Sequence, residues 1–276
     1  MPAPQDSLFA QQAKTFFTSN AIKLPLDWSE PGEQFGSAFS EGEKSVNPNP
    51  PTTLFSQASL NKYHVDAARE IGQKFEVFLD GSVAAICYAI DQWMKLTTIA
   101  GVVINGPSGM LLPGSVLGPP LAPLMLSKAP QATAYELKYS VAIANAFGTA
   151  WQTWQAGLMG NLMYPSFAAF PGPVASPTPN VPVPLMMLSS PGEPGLSASA
   201  LKSAMLVNLG DPQALHADEL FDAIAAAFEI QFVTFKSTTL IQNVLGTGPV
   251  PVYAPPFVPI GPVLGGTGSG APGCLV

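Results

Sequence analysis

The chain has 276 residues, 47% of them apolar and only 11% charged, with 30 Pro and 25 Gly. That charge share is less than half the ~25% of an ordinary soluble domain, yet the chain is too apolar for disorder, and its glycines lack the three-residue period of collagen. Eleven basic residues against eighteen carboxylates, a net charge of −7, exclude the basic face that nucleic acid requires.

Residues 1–60 differ from the rest. Met1-Pro-Ala-Pro-Gln-Asp-Ser7 has neither a basic nor an apolar leader region, so we expect synthesis in the cytoplasm without a signal peptide. Phe9, Phe16 and Phe17 predict a short helix, Leu24 to Ser40 an irregular arm, and Asn47-Pro-Asn-Pro-Pro51 a stiff turn. The expected role is an N-terminal arm that docks on the body or on a neighbour.

Residues 61–130 form a first unit. Asn61 reads as a helix cap, with Asp66, Arg69 and Glu70 in the turns after it. Val65, Ala68, Phe75, Phe78 and Leu79 then recur at helical spacing. Gly81-Ser82 is an expected break before the helix resumes over Val83–Ile99, where Asp91 and Lys95 stand four apart in the favourable order for an ion pair. Cys87 reads as a small core hydrophobe, and Cys274 near the end completes no disulfide framework.

A second unit spans 131–195 and a third 196–276. Thr133 with Glu136 predicts a capping box opening a helix over Ala134–Met159. In the third unit Asp218 and Glu219 fall in a first turn, where the helix dipole favours anions, and Leu220, Ile224, Phe228, Phe232 and Phe235 give the apolar stripe. His64-Val-Asp66 and His216-Ala-Asp218 read as hydrogen-bonding groups at helix starts.

These units repeat one another. An offset of 58 superposes Trp93 on Trp151 and Pro113-Gly114 on Pro171-Gly172. The third copy aligns Lys236-Ser-Thr-Thr-Leu240 with Lys95-Leu-Thr-Thr-Ile99, and Val258 to Gly265 with the Pro/Gly segments. Each helix runs into a Pro/Gly stretch that we expect to be too broken for a central strand and to lie in extended or polyproline form, as in Pro171–Pro184. The expected fold is thus mainly α: three similar helix-plus-extended units with a possible internal pseudo-threefold repeat, and an irregular N-terminal arm.

Three stretches carry no charge at all: 96–127, 139–192 and everything after Lys236. The first is broken from Gly106-Pro107, the second from Pro165 and the third from Gly246-Thr-Gly-Pro249, and the best helical window, Val141–Met163, carries Asn145, Gln152, Gln155 and Asn161 spread around it. A membrane span is therefore not expected; burial against protein is. Catalytic chemistry is not expected either. Gly106-Pro-Ser108-Gly109 lacks the nucleophile-elbow spacing, Gly265–Gly270 opens no helix and so is no phosphate loop, and Asp218, Glu219 and Asp222 read as a solvated helix start. We expect no metal and no cofactor. Trp151 and Trp154 could stack on a sugar or a base, but on an apolar helix a core or a subunit interface is the better fit.

The Trp151-Gln-Thr-Trp154-Gln helix running into Phe167-Ala-Ala-Phe170-Pro-Gly-Pro, with the Gly-rich tail, resembles structural proteins of phage virions, tails and phage-derived contractile injection particles. The resemblance is one of texture over residues 60–276 and transfers no functional residue. It implies a non-enzymatic structural subunit, a cap, neck, baseplate or tail component, incorporated in such a particle and partnered by protein subunits of the same or neighbouring components. Trp93, Trp151, Trp154, Phe167, Phe170 and Phe257 are the expected interface residues. The alternatives are a membrane-associated or pore-forming protein and an apolar small-molecule binding module.

Overall fold

The computed structural model describes residues 4–19, 57–169, 173–214, 216–251 and 260–276. Side chains of 57–71 lie outside this description, as do the arm residues 20–56 and the third-copy segment 252–259. The fold is mixed α/β, not mainly α: among the described residues six helices stand beside a curled antiparallel sheet, and 21% are strand.

The helices follow their local signals. Helix α1 (Asp6–Ser19) buries Phe9, Ala13 and Phe17. Helix α2 runs unbroken over Gln57–Leu96, starting four residues before Asn61. Gly81 does not interrupt it. A Cβ there would lie 2.6 Å from Pro130 Cγ, so the glycine serves to let the chain after the next helix close onto α2. Asp91 and Lys95 form the expected ion pair. A short helix α3 (Leu121–Leu126) begins at Pro120. Helix α4 (Ala134–Ala156) opens on the expected capping box, Thr133 Oγ1 accepting from Glu136 N–H and Glu136 Oε2 accepting from Thr133 N–H, each at 3.1 Å. Helix α5 (Ala198–Leu209) is capped by Ser197 and closed by Gly210 at φ 60°. Helix α6 (Ala217–Thr238) buries the whole predicted stripe from Leu220 to Phe235.

α1 docks on the chain's own α2 and α6. Phe17 lies 5.3 Å from Phe75 and Phe9 lies 6.3 Å from Phe228, centroid to centroid. Gln231 Nε2 donates to Gln12 Oε1 at 2.9 Å, and Lys14 pairs with Asp80 at 2.8 Å.

The strands are where expectation and structure part. They are β1 (Thr98–Gly106), β2 (Ser108–Leu111), β3 (Val116–Leu117), β4 (Gly160–Met163), β5 (Phe167–Ala168), β6 (Thr178–Pro179), β7 (Val183–Pro184), β8 (Leu240–Ile241), β9 (Val244–Thr247), β10 (Ile260–Gly261) and β11 (Val263–Gly270). The main sheet has the order β4-β2-β1-β11-β9-β6, with β3 also on β1. Each sequence unit supplies strands to it. The breakers occupy turns and edges: Gly106, at φ 68°, starts the two-residue turn that returns β1 into β2. The proline stretch read as polyproline becomes the edge strand β6 and the strand β7, paired with β9 and β8. Proline is tolerated at an edge because no ladder donor is missed there. The Gly-rich tail Gly265–Gly270 belongs to β11, flanked by β1 and β9.

Closure around one tyrosine explains the glycines. Just past β6, Val181 N–H donates to Met163 O at the end of β4, 2.7 Å, joining the two outermost strands. Inside the curl lies Tyr164. A Cβ on Gly109 of β2 would lie 2.6 Å from its Cε2, one on Gly246 of β9 2.7 Å from its Cε1, and one on Gly268 of β11 2.8 Å from its hydroxyl. Three strands therefore carry glycine where the ring rests on their backbone.

Candidate functional site

The expected interface aromatics lie inside the chain. Trp93 of α2 meets Trp151 edge-on at 5.1 Å and Trp154 at 5.9 Å, and Trp151 and Trp154 lie 4.7 Å apart. Phe232 and Phe235 of α6 close the cluster, 5.2 Å from Trp154 and 5.8 Å from Trp151 respectively. Trp93 Nε1 donates to Gln155 Oε1, and Gln155 Nε2 passes the network to Val116 O at 3.2 Å. Phe167 packs on Tyr164 at 5.4 Å. Trp93, Trp151, Trp154 and Phe167 are at most 1% exposed, so this conformation offers a sugar, a base or a partner no ring face among them. The helices α2, α4 and α6 that the repeat pattern marked out converge on this cluster. Phe170 and Phe257 lie outside the described residues.

The titratable groups are dispersed. His216 stands at the start of α6 with φ 60°, but its side chain makes no capping bond. It meets the Phe75 ring edge-on at 6.3 Å instead, with Nδ1 4.0 Å from Glu219 Oε2. The side chain of His64 lies outside the description. Asp218 and Asp222 are bridged by Lys202 at 2.7 and 3.3 Å, and the hydrogen bond to Asp218 is the main reason the Lys202 ammonium is held above its ordinary pKa. Burial pushes both thiols, Cys87 and Cys274, up in pKa, which removes the thiolate that nucleophilic chemistry needs. Ser108 pairs with Asn105 across the β1–β2 turn and with Met163 on β4. Among the described residues no three His, Cys, Asp or Glu side chains converge as metal ligands.

What the fold leaves open is the outer face of the sheet. Every described strand lies within one of the three uncharged stretches, and every described Asp, Glu, Lys and His stands on a helix or on a loop between helices. The registers place Asn161, Met110, Val103, Thr267 and Thr247 in one row across five strands, all pointing away from Tyr164. Two residues along, Met163, Ser108, Asn105 and Leu264 form the next row, in which Asn105 Oδ1 accepts from Gly265 N–H at 2.9 Å. Val103, Met110, Met163, Leu245 and Leu264 are 38–53% exposed. This face holds large apolar side chains, small hydroxyls and amides, and no ionisable group.

Sequence reasoning missed these residues because Val102-Val103-Ile104 and Gly109-Met110-Leu111 are apolar on both faces, so alternation could not say which side faces out. Comparison with protein-family models, with curated proteins and with solved structures gives no significant match to this chain.

Proposed function

We propose that the protein is a non-enzymatic structural subunit of a larger protein assembly, and that the uncharged outer face of the sheet is where it meets its neighbours. The observation that carries this is charge segregation: an acidic chain keeps all its described charges on the helical side and leaves a curled face of Met, Val, Leu, Thr and Asn bare. A contiguous exposed apolar patch is characteristic of interaction surfaces, and interface cores are depleted of charge. The resemblance in texture to phage virion, tail and contractile injection particle proteins agrees with such a role and points to a cap, neck, baseplate or tail component. Partners are then protein subunits of the same or neighbouring components. No described helix is long and apolar enough to cross a membrane, and β2, β4 and β9 have four residues each, against the ~9–11 that a membrane-crossing strand needs.

The test is mass measurement by mass photometry and sedimentation velocity, on the protein alone and with the products of the genes next to its own. Assembly beyond the 28.8 kDa monomer is expected. The double substitution Val103→Lys with Met110→Lys, at exposed and paired positions of β1 and β2, should abolish it without lowering the melting temperature by more than a few degrees. A wild-type protein that stays a monodisperse monomer under all these conditions overturns the proposal.

A further inference from the structure

A cleft of about 540 Å³ opens on the helical side, away from the sheet, between α2, the first turns of α4, the start of α6 and the loop 211–214. That volume falls within the ~300–1,000 Å³ of ordinary small-ligand pockets. Its walls are aromatic. Phe78 of α2 and Tyr139 of α4 touch edge-on at 6.1 Å and close the bottom, with Leu220 of α6 beside them. Above them, half-buried Phe75 of α2 and Tyr135 of α4 line the two sides. Tyr135 is 77% exposed, an aromatic ring that nothing in the described fold covers.

The polar rim carries two charges of each sign, Lys74 and Lys138 with Glu136 and Asp211. Lys138 Nζ bonds Asp211 Oδ2 at 2.8 Å, and this bond, with Gln213 N–H donating to Oδ1 at 3.1 Å, holds the Asp211 carboxyl below its usual pKa. Glu136 is engaged in the capping box of α4. Burial, and then the Asp211 charge, keep the Tyr139 phenol protonated to higher pH than usual. Lys74 and Lys138 against Glu136 and Asp211 leave the rim with no net charge, and so no net attraction to an ion. Affinity would come from the four rings, which suit flat apolar surface.

We propose that this cleft is a binding site for an uncharged, planar aromatic ligand, seated between Phe75 and Tyr135 over Phe78 and Tyr139. It is independent of the sheet face and of the assembly role. The probe is N-phenyl-1-naphthylamine, neutral and planar, whose fluorescence rises in apolar surroundings, with its anionic relative 1-anilinonaphthalene-8-sulfonate as comparison. Saturable binding of the neutral probe is expected, changing less than two-fold between 50 and 500 mM salt. Tyr135→Ala, at an exposed position that folding does not depend on, should weaken it about ten-fold, the factor that ~1.4 kcal/mol of lost ring contact represents. Met110→Lys on the sheet should leave it unchanged. Three outcomes overturn the assignment: loss of less than two-fold in Tyr135→Ala, loss of binding in Met110→Lys, or tighter, salt-sensitive binding of the anionic probe than of the neutral one.

Discussion

Gly246→Ala is the sharpest test of how the sheet is built. The new Cβ would lie 2.5 Å from Ile104 Cδ1, 2.7 Å from Tyr164 Cε1 and 3.1 Å from Tyr164 Cζ. The isoleucine methyl can rotate away. The ring cannot, because its opposite edge already rests on Gly109 and its hydroxyl on Gly268. Overpacking of a close-packed site costs ~1–3 kcal/mol, and with one of the two contacts immovable we expect ~2 kcal/mol. With a urea m-value of ~3 kcal/mol/M for a chain of this size, the midpoint should fall by about 0.7 M at constant m. In a Tyr164→Leu background the clash partner is gone, so the same alanine should cost almost nothing. There it should even gain a few tenths of a kcal/mol, since alanine restricts the unfolded chain more than glycine does. The double-mutant cycle should therefore show a coupling of ~2 kcal/mol. Additivity within ~0.5 kcal/mol, the behaviour of sites that do not touch, would refute the idea that the glycines exist to seat the ring.

Two further outcomes follow from buried contacts. Tyr164 Oη is buried with no protein partner, so Tyr164→Phe should be neutral or stabilising by up to ~1 kcal/mol at pH 7. Burial pushes this phenol up to about 12 from its ordinary 10.0; the unfolded chain ionises first, so wild-type stability is intact below pH 10 and declines from there to about pH 12. At ~1.4 kcal/mol per unit the loss is at most ~3 kcal/mol, and thermal melts of Tyr164→Phe between pH 9 and 12 should lack that component; identical alkaline limbs would contradict it. Phe9→Ala should detach α1 by removing a fully buried ring from Phe228, a loss of ~3–5 kcal/mol. Hydrogen exchange should then accelerate over Asp6–Ser19 far more than over α4, and uniform acceleration would show that α1 is not a separable docked element.

The helices were legible because their signals are local. Thr133 and Glu136 meet as a capping box, Asp91 and Lys95 pair across one turn, and Leu220 to Phe235 bury as one stripe. The sheet was not legible, because its glycines stand where a strand normally shows its inward apolar residues. In β11 the buried positions after Val263 are Gly266, Gly268 and Gly270, alternating with outward Thr267 and Ser269. A period of two is present, but the apolar volume that would reveal it comes from elsewhere: Tyr164, Val102 and Ile104 fill the space over Gly268. Read from composition, such a segment is a loose tail; only the tyrosine makes it a strand. The aromatic cluster was legible only in part. Trp151 and Trp154 read as either core or subunit interface, and α6 brings Phe232 and Phe235 over them from within.

The low charge of the chain acquires a location from this. The uncharged stretches 96–127, 139–192 and 237–276 contain all the described strands, so the scarcity of charge belongs to the sheet and not to the molecule as a whole. Burial alone does not require it on both faces. The inner face must be uncharged because Tyr164, Val102, Ile104 and Leu162 pack there. On the outer face Val103, Met110, Met163, Leu245 and Leu264 stay exposed, with the half-buried Thr247 bonding to Ala175 O, and a sheet that stays in water usually carries polar, charged outward residues on such a face. Here its outward positions are Met110, Val103 and Met163 beside Thr267 and Asn105. Two sides with such different chemistry call for different neighbours: water suits the helical side, where Lys14, Lys138 and Lys202 hold their carboxylates in exposed ion pairs, and under the proposed role protein covers the sheet.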